Sequence, residues 1–231
     1  MGTAQDKVVP GRRAVVLLSG GLDSATVAAC LRRDGWQVTA LSVDYGQRHG
    51  AELAAARALA PLLGIQEHLV ARVELGPFGG SALTDSRIAV PKNANPLAPV
   101  AADVPVTYVP ARNLVLLSLA VSCAEARGAD AIGLGVNALD YSGYPDCRPE
   151  FMRAFAEAAR LGTKCGAAGR PLQVLAPLQE MSKIEILRLA RELGVPVERT
   201  LSCYDPSPSG APCGGCDACR LRARALAGLI A

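Results

Sequence analysis

The stretch "AVVLLSGGLDSATVA", Ala14 to Ala28, decides the fold. Its first five residues, Ala14 to Leu18, form an uninterrupted apolar run, as expected of a parallel strand that is buried on both faces. Ser19-Gly20-Gly21 follows, and from about Ser24 the apolar residues recur at helical spacing until Asp34-Gly35 supplies a cap and a turn. The stretch therefore predicts a buried strand, a glycine loop and a helix.

The rest of the chain repeats this alternation. Further strands are predicted at residues 36–46, 66–73 and 129–136, and further helices at residues 49–64, 113–128, 150–162 and 181–194. Such alternation is typical of an α/β fold with a doubly wound, Rossmann-like parallel sheet, whose binding groups lie beyond the carboxyl ends of the strands. We expect a mobile extension over residues 1–12, a main domain over 13–200, and a cysteine-bearing element with a C-terminal helix over 201–231.

One long segment, Gly76 to Pro105, shows no dependable periodicity. It is rich in proline, glycine, asparagine and small residues. A segment of this length is more often a functional lid or mobile loop than a plain connector.

Composition and charge limit the class of protein. The chain has 231 residues, of which 50% are hydrophobic and 19% charged, so it can bury one sizeable core and is not expected to be disordered. A net charge of +3 neither demands nor excludes a nucleic-acid partner. No segment approaches the roughly 20 apolar residues of a membrane helix, and the first residues lack the apolar core of a secretion signal. We therefore expect a cytoplasmic protein without a membrane partner.

The glycine loop predicts an anion site. A buried strand, two glycines and a helix start place free backbone N–H groups and the positive end of a helix dipole in one concavity. Glycines let the backbone approach a phosphate closely, and the hydroxyls of Ser19 and Ser24 can add hydrogen bonds. The spacing matches neither the G-x-G-x-x-G of dinucleotide-binding proteins nor the lysine-bearing P-loop.

Four of the eight cysteines form a cluster with metal-binding spacing. Cys203, Cys213, Cys216 and Cys219 follow the pattern C-x9-C-x2-C-x2-C, which can wrap tetrahedrally around one ion. Zinc is favoured, in a structural role because the protein fills all four positions, while an iron–sulfur cluster would use the same ligands. Outside the cluster, Cys30 and Cys123 are expected to be small core residues.

Five segments together point to a family. "SGGLDS" resembles the pyrophosphate loop of the ATP pyrophosphatase (PP-loop) superfamily. With it, "DYGQRHGAE" (44–52), "VPARN" (109–113), "NALDYSGYPDCRPEF" (137–151) and the cysteine cluster, in this order, closely resemble the QueC family from about Arg13 to Arg222. Two departures, Leu22 where glutamine is common and Leu201 where tryptophan is expected, remove no charged or metal-binding group.

The resemblance implies an activity in queuosine biosynthesis. Members of this family are ligases that use ATP to convert 7-carboxy-7-deazaguanine and ammonia into the nitrile, 7-cyano-7-deazaguanine (preQ0). Adenylation turns the carboxylate into a mixed anhydride that ammonia displaces, and a second activation of the resulting amide allows dehydration. The resemblance also implies one zinc ion per chain, ATP with Mg²⁺, a homodimer, and no nucleic-acid partner.

The same resemblance assigns residues to the nucleotide and to catalysis. It places Arg112, Lys183 and Asp23 in catalysis. Asp23 either caps the helix or helps to hold Mg²⁺. Arg112 binds phosphate or the substrate carboxylate through its fork, unless it braces a loop. Lys183 opens a helix, where a cation is disfavoured unless an anion is near. The expected ATP-binding residues are Leu18, Ser19, Gly20, Gly21, Leu22, Asp23, Ser24, Ala25 and Arg48.

Substrate recognition is assigned to the segment around residue 140. Asp140, Tyr141, Asp146 and Arg148 are the expected contacts, with Asp140 accepting hydrogen bonds from a guanine-like base or capping a turn. Two other polar residues stay ambiguous. Asp44 either accepts hydrogen bonds from a guanine-like base or caps a turn, and His49 is either a proton carrier or a structural residue. Cys147 is not needed as a nucleophile, because ATP already activates the carboxylate.

Two rival functions share the pyrophosphate loop. A tRNA-modifying enzyme would adenylate a base, but it would favour a broad basic surface or an added RNA-binding domain. A non-catalytic ATP-sensing zinc module would bind ATP without turnover. Polar residues at several predicted strand ends favour an enzyme.

Overall fold

The computed structural model describes residues 11–93, 104–137 and 143–228. Five strands form one sheet: β1 (Arg13–Leu17), β2 (Gln37–Asp44), β3 (Glu67–Arg72), β4 (Ala131–Gly133) and β5 (Gln173–Leu175). Seven α-helices lie in the described ranges: α1 (Leu22–Arg33), α2 (Ala51–Leu62), α3 (Arg112–Arg127), α4 (Pro149–Gly162), α5 (Lys164–Ala167), α6 (Lys183–Glu192) and α7 (Asp217–Gly228).

The sheet is parallel and has the order β3-β2-β1-β4-β5. The chain builds outward from β1 through β2 to β3, then crosses back to β4 on the other side of β1. After β1 the chain continues to β2 on one side, and after β4 it continues to β5 on the other side. The crevice beyond the carboxyl ends of β1 and β4 is therefore where a sheet of this kind binds ligands. The predicted fold class, a doubly wound parallel sheet, is confirmed.

Helices cover both faces of the sheet. Alternate residues of β1 enter different cores: Val15 packs with Leu117 of α3, while Val16 packs with Val27 of α1 and Ile186 of α6. This alternation is the period-2 geometry of a strand, here with both faces apolar because both faces are covered. The uninterrupted apolar run at Ala14–Leu18 therefore has the burial that its composition predicts.

Some boundaries differ from the sequence-based expectation. Helix α1 begins at Leu22 rather than near Ser24, and the strand predicted over 129–136 is ordered as a strand only at Ala131–Gly133. Strand β5 was not predicted, because three residues are too few to show an alternation. None of the helices in the described parts of the chain is long and apolar enough to cross a membrane.

Gly20 is required by the packing of the glycine loop. Its φ is +89°, a conformation that residues with a Cβ rarely adopt. A Cβ there would also lie 2.8 Å from the backbone nitrogen of Ala56. The first turns of α2 therefore lie directly against the loop that follows β1.

The C-terminal element packs into the main body. Leu201, Cys203 and Cys216 belong to the core on the α3 side of the sheet, and Ala225 of α7 belongs to the core on the α6 side. The element thus shares both cores, while a domain boundary at residue 200 stays a prediction.

Candidate active site

A cleft of about 290 Å³ lies beyond the carboxyl ends of β1 and β4. Its walls come from all parts of the chain: the glycine loop, the starts of α1, α2, α3 and α6, and the C-terminal element. Polar or charged side chains in the lining are Ser19, Asp23, Ser24, Tyr45, Glu52, Thr107, Arg112, Asn113, Tyr144, Lys183, Ser202, Tyr204 and Arg222. The cleft therefore occupies the topological switch point and combines cations with hydrogen-bonding groups.

The glycine loop is held by its own hydroxyls. Ser24 Oγ accepts a hydrogen bond from the Ser19 backbone N–H at 3.2 Å and lies 3.1 Å from Ser19 Oγ. Ser19 Oγ accepts from the N–H of Gly21 at 3.3 Å, and Ser24 Oγ donates to the Gly21 carbonyl at 3.1 Å. Gly21 caps α1 without a side chain, so the first amides of α1 have no side-chain acceptor from that residue. These bonds fix the loop in one conformation, which is compatible with the predicted anion site. We call residues 19–24 the anion cradle, and its binding of an anion stays a prediction.

Asp23 joins three distant parts of the chain. Its Oδ2 accepts hydrogen bonds from Lys183 Nζ at 2.5 Å and from Asn137 Nδ2 at 3.0 Å. Lys183 opens α6, whose N-terminus is fixed by a reciprocal capping box between Ser182 and Glu185. The anion near Lys183 in this structure is thus the carboxylate of Asp23, and the pair stands at the mouth of the anion cradle.

Arg112 opens α3 inside the cleft. The preceding residue, Ala111, has a positive φ of 53°, and the sharp turn directs the chain into the helix. The guanidinium carbon lies 5.7 Å from the centre of the Tyr45 ring. Within the described part of the chain, the buried Nε of Arg112 has no hydrogen-bond partner. A buried donor without a partner is costly, which favours an anionic ligand at this position.

Glu52 also faces the cleft, and sequence analysis gave it no role. It lies in the first turn of α2, where an acid is ordinarily explained by the helix dipole alone. Burial raises the pKa of its carboxyl to about 7, and the charge of Arg112 opposes that rise. In the sequence, only its position as the last residue of "DYGQRHGAE" pointed to a role in the site.

The wall beside Arg112 is a hydrogen-bonded layer. The backbone N–H of Asn113 donates to Asp146 Oδ2 at 2.9 Å, and Asn113 Nδ2 lies 3.1 Å from Cys147 Sγ. Asp146 is buried behind this contact, whereas Cys147 lines the cleft. The segment that begins at residue 145 is therefore tied to the start of α3.

Several predicted site residues lie elsewhere. Arg48 donates to the carbonyls of Ala82 and Ile88 at 3.2 and 3.3 Å, which braces the irregular segment after residue 76. Arg148 is exposed at the N-cap of α4, and Asp44 is paired with Arg72 at 3.3 Å.

The remaining predicted residues differ in how directly they face the cleft. Leu18, Gly20 and Ala25 form the buried support of the loop rather than the surface of the cleft, whereas Gly21 and Leu22 line it. Asp140 and Tyr141 lie outside the described residues. The binding roles assigned to all of these residues stay predictions.

The four clustered cysteines form a candidate metal centre. Their Sγ atoms all lie within 4.8 Å of one another. Four thiolates at about 2.3 Å from one ion would be separated by roughly 3.8 Å, so the arrangement fits a tetrahedral site. Backbone N–H groups of Cys213 and Cys216 approach the sulfurs of Cys203 and Cys213 at 3.2 and 3.4 Å, as is favourable for thiolates.

Comparison of the chain with known proteins agrees with this geometry. The family model of "Queuosine biosynthesis protein QueC" matches residues 13–229. The chain is 58% identical over 218 residues to a 7-cyano-7-deazaguanine synthase of Anaeromyxobacter sp. (strain Fw109-5), covering 94% of this chain and 93% of the relative. It is 59% identical over 209 residues to the synthase of that name from Thiobacillus denitrificans, covering 90% of this chain and 91% of the relative.

A solved structure supports the fold. The described fold is similar to a 4-thiouridine synthetase solved with RNA and bound ATP, with a TM-score of 0.51 and 19% identity over 94% of this chain and 54% of that chain. Such a distant likeness bears on architecture, and the family rests on the full-length sequence matches. The chain belongs to the QueC family of queuosine biosynthesis proteins, whose curated relatives are enzymes named 7-cyano-7-deazaguanine synthase.

Proposed function

We propose that this protein is an ATP-dependent ligase that converts 7-carboxy-7-deazaguanine and ammonia into 7-cyano-7-deazaguanine. The observation that carries the proposal is the meeting of the glycine loop, Lys183 and Arg112 in one cleft at the switch point of the sheet. The names of the 58–59% identical relatives supply the substrate class. A cleft with cations at two positions suits a reaction that brings a polyphosphate and a carboxylate together.

The anion cradle suits the phosphates of ATP. Amides of the first turn of α1 and the hydroxyls of Ser19 and Ser24 would bind phosphate oxygens. Lys183, now paired with Asp23, would turn toward the transferring phosphate or stay paired beside it, and in either position it neutralises negative charge that develops there. Mg²⁺ would be held by Asp23 together with phosphate oxygens, since a carboxylate beside polyphosphate is repelled unless a cation intervenes.

Arg112 suits the carboxylate of the second substrate. Its guanidinium offers paired donors in a fork that matches a carboxylate, and its buried Nε gains the partner that it lacks within the described residues. Thr107 and Tyr144 line the cleft with their hydroxyls 2.9 Å apart. The Tyr144 ring, which stacks on Tyr108 with centroids 6.0 Å apart, would form a wall for a flat heterocycle. Asp140, Tyr141, Asp146 and Arg148 remain proposed contacts of that heterocycle.

The remaining partners are also proposals. The four cysteines would hold one structural Zn²⁺ ion, because all four positions are filled by protein and none is left for substrate. A zinc ion there would fix the segment that carries Leu201, Ser202 and Tyr204 into the wall of the cleft. Ammonia as the nitrogen source and a homodimer follow the family resemblance, and a cytoplasmic location follows from the sequence pattern.

The reaction can be tested directly. Purified protein is incubated with ATP, Mg²⁺, ammonium and 7-carboxy-7-deazaguanine, and the deazapurine is followed by mass spectrometry. Appearance of the nitrile with matching consumption of ATP is the expected result. If ATP binds but the deazapurine stays unchanged, the proposal fails, and unmodified tRNA becomes the next substrate to test.

A further inference from the structure

Glu52 occupies the point where the anion cradle meets the second half of the cleft. It is carried by the first turn of α2, whose backbone packs against Gly20 of the cradle. Its side chain lines the same cleft as Ser24 and Arg112. Glu52 therefore lies beside the place where the loop would hold phosphates and near the guanidinium proposed for the carboxylate.

The electrostatic neighbours of Glu52 are few. The charge of Arg112 opposes the rise in the pKa of the Glu52 carboxyl. The charge of Glu52 raises the pKa of Tyr45, which also interacts with Arg112. Ion pairs between described residues do not include Glu52 or Arg112. An acid and a guanidinium thus share the cleft and sense each other's charge without forming an ion pair.

The chemistry of the proposed reaction needs a proton acceptor. When ammonia adds to an activated carboxyl carbon, the new nitrogen carries a positive charge and must lose a proton before a neutral amide is released. The described residues that line the cleft include two carboxylates, Asp23 and Glu52. Asp23 is already neutralised by Lys183 at 2.5 Å, so Glu52 is the carboxylate suited to this task.

We propose that Glu52 is the general base of the amide-forming step, an inference that rests on the proposed function. The lone pair of ammonia forms the C–N bond to the carbonyl carbon of the acyl adenylate, and the C–O bond to AMP breaks with its electron pair leaving on the phosphate. The proton lost from nitrogen passes to the Glu52 carboxylate and from there to solvent. Arg112 holds the carbonyl end of the substrate on the opposite side.

Two properties of the site support this role. Burial raises the pKa of Glu52 to about 7, close to the pH at which a general base both accepts and returns a proton efficiently. A carboxylate in this position also attracts ammonium, the protonated precursor of the nucleophile, which must lose a proton before ammonia can form the C–N bond. Arg112 and Tyr45 are the charged and titratable groups that face it.

Separate measurement of the two half-reactions tests the inference. Adenylation is followed by exchange of labelled pyrophosphate into ATP with 7-carboxy-7-deazaguanine and no ammonium, and amide plus nitrile formation is followed after adding ammonium. Glu52→Gln should keep the exchange rate within a few-fold of the wild type and lose about 100-fold or more in the ammonium-dependent step. Hydroxylamine, a nucleophile that is mostly unprotonated at neutral pH, should recover part of this loss.

The controls separate this inference from the proposed function and from misfolding. Glu150→Gln removes another first-turn glutamate, exposed on α4, and should leave both half-reactions unchanged. Glu52→Asp keeps a carboxylate and should lose less than Glu52→Gln. Loss of exchange in Glu52→Gln, or an ammonium-dependent rate within threefold of the wild type, overturns the inference. Absence of exchange and product in the wild type would instead overturn the proposed function.

Discussion

Side chains that are far apart in the sequence come into contact in the cleft. Lys183 and Asp23 are 160 positions apart, yet they form the ion pair at the mouth of the anion cradle. Their placement depends on Ser182, which caps α6 and sets the direction of its first residue. The side chain of Lys183 is therefore held where a phosphate would arrive.

Lys183→Met should weaken the use of ATP. Loss of one charge-assisted hydrogen bond costs about 1.5–3 kcal/mol, so kcat/KM for ATP should fall by about 10- to 100-fold. Arg191→Met, an exposed cation at the far end of α6, is the matched control and should change little. Steady-state kinetics at saturating 7-carboxy-7-deazaguanine measures the effect, and equal losses in the two variants would contradict a local role for Lys183.

Glu52 should make stability depend on pH. Folding raises its pKa from 4.5 to about 7, mainly through burial, so the folded state favours the neutral acid. Below about pH 4.5 the group is protonated in both states and its burial carries no charge penalty; above about pH 7 the full penalty is present. Glu52→Gln should therefore gain stability over the wild type as pH rises from 5 to 8.

Urea unfolding at several pH values measures this difference. Comparing variant with wild type at each pH cancels the pH dependence of the cysteine site, which both proteins share. Glu150→Gln should show no such trend. A constant difference between Glu52→Gln and the wild type across this range would show that folding does not raise the pKa of the Glu52 carboxyl.

At the scale of elements, the cysteine-bearing segment connects a metal centre to the wall of the cleft. Cys203 and Cys216 are fully buried in the core on the α3 side, and Tyr204 between them lines the cleft. A segment rich in glycine, proline and serine has little core of its own, so an ion at the four sulfurs would supply much of its folding energy. The geometry of the cleft would then depend on a metal that takes no part in the chemistry.

Cys203→Ser should lose the metal and with it the activity. The expected result is about one zinc ion per wild-type chain, much less in the variant, and a lower melting temperature. Cys165→Ser changes a half-buried cysteine outside the cluster and should keep both metal and activity. Elemental analysis and thermal unfolding provide the readouts, and iron with visible absorption in place of zinc would contradict a zinc site.

At the scale of the whole molecule, the cleft is lined both by the loop that follows β1 and by α7. The glycine loop comes from the first strand-to-helix connection, while Leu221, Arg222 and Ala225 of α7 supply the opposite wall. Arg222 ties that wall in place, because Nη1 donates to Thr200 Oγ1 at 2.7 Å and Nη2 donates to the Val197 carbonyl at 2.6 Å. The folding of the last helix is thereby coupled to the site.

Arg222→Ala should loosen this wall. Two hydrogen bonds from a partly buried guanidinium are lost, and each is worth about 1.5–3 kcal/mol, so the free energy of unfolding should fall by about 3 kcal/mol or more. Faster amide hydrogen exchange in α7 is expected, together with a higher KM for ATP. Arg224→Ala, an exposed neighbour on the same helix, should leave exchange in α7 as it is in the wild type. Unchanged protection of α7 in Arg222→Ala would show that other contacts hold the wall.

The sequence alone determines those features of this protein that depend on neighbouring residues. A continuous apolar run requires a strand that is covered on both faces, and paired glycines after it require a turn with an open backbone. The buried strand and the glycine loop were therefore predictable, although α1 begins at Leu22 rather than near Ser24. The same holds for the tetrahedral spacing of the four cysteines and for the family. The strand, the loop and the cysteine spacing depend on residues close together in the chain, where periodicity and backbone conformation act directly. The family resemblance rests instead on five motifs spread from about Arg13 to Arg222.

Only the tertiary structure decided which charges share the cleft. Sequence analysis gave site roles to Arg48, Arg112 and Arg148, with Arg112 preferred. Arg112 alone of the three lines the cleft, while Arg48 braces a loop and Arg148 is exposed. Glu52 had no assigned role in the sequence, and it lines the same cleft as Arg112 because the first turns of α2 pack against Gly20. Strand order and helix packing set these juxtapositions, and neither is a property of a short stretch of chain.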